Sequence, residues 1–347
     1  MLLLSFLALG LAPGGPTPLP EVVLLKDRPS RAFEVVLPAE RWFPVGELFP
    51  IAHAAGAGFA VAPEGEGLLV DADGDGALER TLEGVLDEGT GVRSAFVVLE
   101  GERAGGAPLR YGVRLRNEGK GWEWAPSGTV RGQLGDLRIQ VIDQDGDGVF
   151  GEVGQDAIVL GSSDHATFLS STLSIGGAVQ TLTVAPDGSS LEVSPFTGPT
   201  GSLDLASEFD GDARILAAVV RSTDGQHSFD LAWAEGPLQV PVGRYRLHGA
   251  VIGLGDARVE VAEGAMQPLV VAAQAETALA WGGPTRAEFA FQRSGDQVAF
   301  DPEQVWWYGA AGEEYRGWAP RGKSPEFTIK ERKLGTELLK ALFPGSC

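Results

Sequence analysis

Two short stretches of this sequence share one arrangement of acids and glycines: Asp71-Ala72-Asp73-Gly74-Asp75-Gly76 and Asp143-Gln144-Asp145-Gly146-Asp147-Gly148. Carboxylates at positions 1, 3 and 5 with glycine at 6 form the first half of an EF-hand-type calcium loop. Alternate side chains of a tight turn converge on one centre, and glycine supplies the bend. Three carboxylates held that close repel one another unless a hard dication neutralises them, so the pattern points to Ca2+. The second half departs from the EF-hand. Position 12, a bidentate Glu in that loop, is Leu82 in the first stretch and Gly154 in the second. Glu79 and Glu83 are nearby replacements for the first, Glu152 and Asp156 for the second. The expected ligands are therefore Asp143, Asp145, Asp147, Glu152 and Asp156, together with Asp71, Asp73, Asp75 and Glu79. Asp and Gly are also ordinary turn residues, which makes a pair of solvated turns the competing reading. The recurrence of the frame, each time straight after an apolar run, favours the ion.

Other reactive groups are sparse. The histidines are His53, His165, His227 and His248, and neither H-E-x-x-H nor G-x-S-x-G occurs. Ser162-Ser163-Asp164-His165 has the residue types of a triad, but neighbours on a short loop cannot face one another in the required order. No His/Cys spacing suggests zinc, and no phosphate-binding glycine loop appears. With 47 acidic residues, some carboxylate pair at glycosidase separation is inevitable and carries no weight. Trp306-Trp307-Tyr308 admits a sugar platform, yet consecutive strand residues point to opposite faces, so at least one tryptophan belongs to a core. Trp122 and Trp124, on one face of their segment, pose the same choice.

The elements that position the acids are strands. Residues 137–142 alternate Leu137, Ile139 and Val141 with Arg138 and Gln140, until Ile142 breaks the pattern just before Asp143. Residues 157–160 form a short buried run after the second loop, and 68–70 an apolar run before the first. Residues 21–25 and 33–37 are further apolar runs, and 94–99 with 109–115 make a strand pair. Pro186-Asp187-Gly188-Ser189 is a turn between 181–184 and 191–193, since Pro presets φ and Gly permits φ > 0. Past residue 205 the runs at 214–220, 228–233, 243–251, 287–292, 304–308 and 326–329 read as strands. Residues 258–261 and 269–271 suggest a hairpin around Glu263-Gly264. Leu334, Leu338, Leu339 and Leu342 have helical spacing, which predicts a short helix over 333–342.

With 49 Gly and 22 Pro, the composition suits many short strands rather than long helices. The expected fold is all-β: two β-sandwich-like domains, 22–205 with the Asp-rich loops and 206–347, the latter Ig-like or transthyretin-like by analogy of pattern. The lone Cys347 has no disulfide partner within the chain. A formal charge of −20 repels phosphate backbones and anionic lipid, so nucleic acid and membrane surfaces are poor partners. Residues 2–12 form an unbroken apolar and small-residue run of signal-peptide length, too short to span a bilayer, and a Pro/Gly leader follows. Residues 1–21 therefore predict export to an extracytoplasmic site, without membrane insertion after processing.

One resemblance accompanies these residues. Tyr111-Gly112-Val113-Arg114-Leu115, the second Asp-rich loop, Gly154-Gln155-Asp156-Ala157, Ala166-Thr167-Phe168-Leu169-Ser170 and Ala185-Pro186-Asp187-Gly188-Ser189-Ser190-Leu191 occur in that order. This stretch, with Gly312-Glu313-Glu314-Tyr315 and Pro325-Glu326-Phe327, resembles uncharacterised exported β-rich proteins of environmental bacteria. The resemblance covers about half the chain and implies export and Asp-rich loops, with no activity attached. Gly151 stands where a further acid is expected. The reading that results is an exported, non-enzymatic calcium-binding module, structural or binding in role, with a protein or glycan partner open. A secreted hydrolase or carbohydrate-active enzyme, or a glycan-binding sandwich, is the alternative.

Overall fold

Apolar residues at alternate positions, cut every few residues by glycine turns, leave the backbone one way to pair its amides: in short antiparallel ladders. The computed structural model describes residues 20–29, 41–103, 105–127, 129–163, 165–234, 236–295, 297–318 and 326–342. Among them the regular structure is almost wholly strand. The runs expected at 2–12 and 33–37, and Cys347, lie outside the described residues.

Buried apolar side chains gather into two large clusters. One draws on Val23 through Val193, the other on Leu203 through Tyr315. Around the first, a five-stranded sheet runs Phe43–Pro44, Trp122–Pro126, Pro108–Asn117, Arg93–Glu102, Val85–Leu86. A second runs Thr167–Phe168, Ala157–Leu160, Leu137–Ile142, Thr129–Leu134, Lys26–Arg28. Four-stranded sheets built on Phe59–Glu64 with Gly67–Val70, and on Ala178–Val184 with Ser190–Pro195, complete this part. Ile139 and Val141 belong to the large cluster, whereas Ile142 joins Ala157, Val159 and Ala166 in a small one. Both faces of that sheet are thus covered, which is why the alternation breaks at Ile142. Trp122 and Trp124 both turn into the first core.

The second part is dominated by the long strands Arg214–Ser222 and Gly243–Leu254 in an eight-stranded sheet. Trp307 packs on the second core and Trp306 is exposed, as alternation requires. Two expectations fail here. The Ala257–Ala262 and Leu269–Val271 strands do not pair with each other; both lie along Gly243–Leu254, at opposite ends. The edge of Ala257–Ala262 away from Gly243–Leu254 is taken by Glu314–Arg316, and Gly264, at φ +57°, packs against the Gly312 carbonyl with no room for a Cβ. The helix expected over 333–342 is also not formed. Residues Glu337–Leu342 are a strand paired with Glu326–Lys330. A four-residue leucine spacing satisfies a period of 2 as well as 3.6, and the turn decides between them. Gly335 takes φ +68°, and the Glu331 carboxylate accepts the backbone NH groups of Lys333 and Leu334.

Candidate metal centre

Each Asp-rich loop closes an antiparallel hairpin. The first joins Gly67–Val70 to Arg80–Leu82, with Val70 opposite Arg80. The second joins Leu137–Ile142 to Ala157–Leu160, with Ile142 opposite Ala157. The strand ends fix both exits of each loop, so its acids face a predetermined centre.

Inside, the two loops repeat one hydrogen-bond pattern. Asp71 Oδ1 accepts the Gly74 NH (2.7 Å) and Oδ2 the Gly76 NH (3.0 Å). Asp143 Oδ1 accepts the Gly146 NH and Oδ2 the Gly148 NH, both at 2.7 Å. Asp75 Oδ1 takes the Ala77 NH and Asp147 Oδ1 the Val149 NH, each at 2.7 Å. Gly74, Gly76, Gly146 and Gly148 all have φ between +75° and +88°, conformations in which a side chain is strained. Position 2 is held from behind by a carboxylate in both cases. The Ala72 NH donates to Glu79 Oε1 at 2.7 Å, and the Gln144 NH to Asp156 Oδ1 at 3.2 Å.

The structure brings together two ligand groups. Asp71, Asp73, Asp75 and Glu79 each place a carboxylate oxygen within 4.8 Å of the others, as do Asp143, Asp145 and Asp147. Neither Asp156 nor Glu152 belongs to the second group. Asp156 is fully buried behind it, its Oδ2 accepting the NH groups of Gly151 (2.8 Å) and Glu152 (2.9 Å). Glu152 is close enough for Asp145 and Asp147 to add to the effect of burial in raising its carboxyl above the usual range. Leu82, at position 12 of the first loop, is a buried strand residue and no ligand. Gly151 can carry no acid: at φ +96° a Cβ would sit 2.6 Å from the Val184 carbonyl oxygen.

The electrostatics of the second loop are severe. Asp143 is fully buried. Burial raises its carboxyl to about 7, against the lowering effect of its hydrogen bonds from Tyr111, Gly148 and Gly146. Burial and the Asp143 charge together raise Asp156 to about 8. The buried Asp145 Oδ1 has no hydrogen-bond partner among the described residues. Oxygen donors, carboxylate charge and an unmade bond fit a hard cation and not a thiophilic one.

Some participants carried no local signal. Tyr111 donates its hydroxyl to Asp143 Oδ2 at 2.7 Å, from a strand 32 residues earlier, and burial beside Asp143 holds that phenol well above its ordinary range. In sequence it is one more alternating strand aromatic. Arg221, from the second part, donates to the Gly154 carbonyl at 3.0 Å and lies over the Phe168 ring at 4.2 Å. In the Ser162-Ser163-Asp164-His165 segment, Ser163 Oγ accepts the His165 backbone NH at 3.0 Å in a local turn, and Asp164 lies outside the described residues. No protein-family model matches the chain, and neither a curated protein nor a solved structure is significantly similar to it.

Proposed function

We propose that this is an exported, non-enzymatic β protein whose two Asp-rich loops bind calcium, stabilising a structural or binding module outside the cytoplasm. The observation that carries the reading is the second loop. Three carboxylates converge there within 4.8 Å, one with an orphaned buried oxygen, over a fully buried Asp143. A dication bound by Asp143, Asp145 and Asp147 offsets their repulsion and gives the orphaned Asp145 oxygen a partner. Asp71, Asp73, Asp75 and Glu79 form a second, more exposed site of the same design. The donor set is all oxygen, which favours calcium over zinc or copper. Export is supported by the apolar run at 2–12. The net charge of −20 suits a cation-rich exterior and argues against nucleic-acid partners. The resemblance to exported β-rich bacterial proteins with Asp-rich loops points the same way.

Calorimetric titration of the chelator-stripped protein with calcium tests this. Two binding events are expected, with dissociation constants of about 10⁻⁴ to 10⁻³ M, the range of extracellular modules. At a hundredfold excess over that constant, stability should rise by about 2.7 kcal/mol. A flat titration together with a melting midpoint that chelator does not move would refute the reading.

A further inference from the structure

Away from both loops, the two parts of the chain enclose a cavity of about 280 Å3. Ile158 and Leu160 line it from the sheet of the second loop, Leu173 and Ile175 from a neighbouring hairpin, and Phe229 and Leu238 from the second part. An apolar cavity of ~150 Å3 holds a benzene ring, so this one has room for roughly six to ten heavy atoms. Gly176, exposed at the tip of the Thr172–Ile175 hairpin, belongs to its lining and opens it to solvent.

Its polar groups are not those of a packing defect. Ser228 is 5% exposed, yet its Oγ has no hydrogen-bond partner among the described residues, and the buried Ser174 Oγ has none either. A buried hydroxyl left unbonded is destabilising, and here it happens twice in the lining of one cavity. Asp230 lines the same space. Its Oδ1 accepts the NH groups of Ala218 (2.9 Å) and Ala232 (3.0 Å), which fixes the carboxyl in place. Its Oδ2 takes neither of these bonds. Burial raises this carboxyl above its usual range, opposed by the two NH groups and by nearby His165. A carboxylate desolvated in an apolar chamber is stabilised most by a cation that also donates hydrogen bonds.

We propose that this cavity is a binding site for a small apolar amine, with Asp230 as counter-ion to the ammonium and Ser228 as a second polar contact. The hydrocarbon body fills the space between Leu173, Ile158 and Phe229. A carboxylate ligand of the same size meets repulsion at Asp230. An alcohol satisfies the hydroxyls but leaves the carboxylate charge uncompensated. The acidity of the chain, −20 overall, draws cations towards it at long range. This site is independent of the calcium loops.

The test is calorimetry on the full chain at about pH 8 with hexylamine, hexan-1-ol and hexanoate as probes. Hexylamine should bind saturably with one site and about tenfold tighter than hexan-1-ol. Asp230→Asn, which keeps the acceptor for Ala218 and Ala232, should reduce the amine to the level of the alcohol. Ala234→Trp, which adds nine heavy atoms to the lining and so takes up the room for the ligand, should abolish binding of both. If that variant melts well below wild type, Leu238→Phe narrows the same chamber from another wall. Preference for hexanoate, equal binding of amine and alcohol, or amine binding that survives the filled cavity would overturn the proposal; the last would place the amine on the acidic surface.

Discussion

Asp143 and Asp156 make the metal-free protein less stable as pH rises, and His227 and His248, whose imidazoles burial lowers, act in the opposite sense. Burial holds their carboxyls at about 7 and about 8, against 3.8 for an ordinary aspartate. Between those limits the folded chain retains protons that the unfolded chain has released, so stability falls as pH rises across the window. Each pH unit within it costs at most about 1.36 kcal/mol per carboxyl, so the loss between pH 5 and 8 is on the order of a few kcal/mol. A bound dication reverses the sign, because it requires the carboxylates ionised and weakens as they protonate. In chelator, the melting midpoint should therefore drop from pH 5 to pH 8, and Asp143→Asn should flatten that slope. In millimolar calcium the drop should vanish. A slope in chelator that Asp143→Asn leaves unchanged would show that this carboxyl is not desolvated in solution. The Tyr111 hydroxyl is part of the same balance, since its bond to Asp143 Oδ2 opposes the effect of burial.

The two hairpins differ in how firmly they are held, which ranks their sites. The first loop is tied to neighbours through the Asp71 NH to the Ala60 carbonyl and the Glu100 NH to the Ala72 carbonyl. The second is anchored at Phe150 to Pro186, at Gly154 to Leu169 and to Arg221, and at Asp156 to Leu169. Asp73, Asp75 and Glu79 are exposed, whereas Asp145 is half-buried over a buried Asp143. A prepositioned loop loses less ordering entropy on binding, and its ion relieves a larger desolvation. Calcium should accordingly stabilise through the second loop more than the first. Melts of Asp145→Ala and Asp73→Ala, each with calcium and with chelator, decide it: Asp145→Ala should remove most of the calcium-induced shift and Asp73→Ala the smaller share. The reverse order would break the ranking while leaving calcium binding intact. The frame of both loops is legible in the sequence because Asp at 1, 3 and 5 and Gly at 6 are local requirements of a turn. The strands around the second loop, 137–142 and 157–160, are legible for the same reason. Part of the rest is non-local: Gly151 is fixed by the Val184 carbonyl, and the pairing of Leu269–Val271 by a strand it meets only after the chain turns at Gly264. The fate of 333–342 is decided by a local turn at Glu331 and Gly335 that the leucine spacing does not announce.

At the scale of the whole chain, the question is where one folding unit ends. The composition break at 197–201 suggests a boundary at 205/206, but the strand just before it serves the second core. Thr200–Asp204 is the middle strand of a three-stranded sheet, antiparallel to Leu238–Pro241 and parallel to Glu276–Ala278. Leu203 and Leu205 are buried in the second cluster, and the Trp281 indole NH donates to the Leu205 carbonyl at 2.6 Å. Ser190–Pro195, by contrast, pairs with Glu21–Leu24 and Ala178–Val184 in the first part. The cut that separates the ladders therefore falls at 196–199. Burial of a leucine contributes about 1.5–3 kcal/mol, so removing this strand deletes two such contributions and exposes two strand edges. A domain's whole stability is about 5–15 kcal/mol, which makes the loss decisive. Both a 197–347 piece and a 206–347 piece lose the same contacts to the first part, including the Arg221 stack on Phe168 and the 3.0 Å bond between His227 Nδ1 and Thr172 Oγ1. Comparing the two thus isolates the strand. Residues 197–347 should give a β-type circular dichroism spectrum and one cooperative melt, and residues 206–347 should not. Equal melts for the two pieces would mean that Thr200–Asp204 contributes nothing to the second unit, and failure of both would mean that this unit folds only against the first.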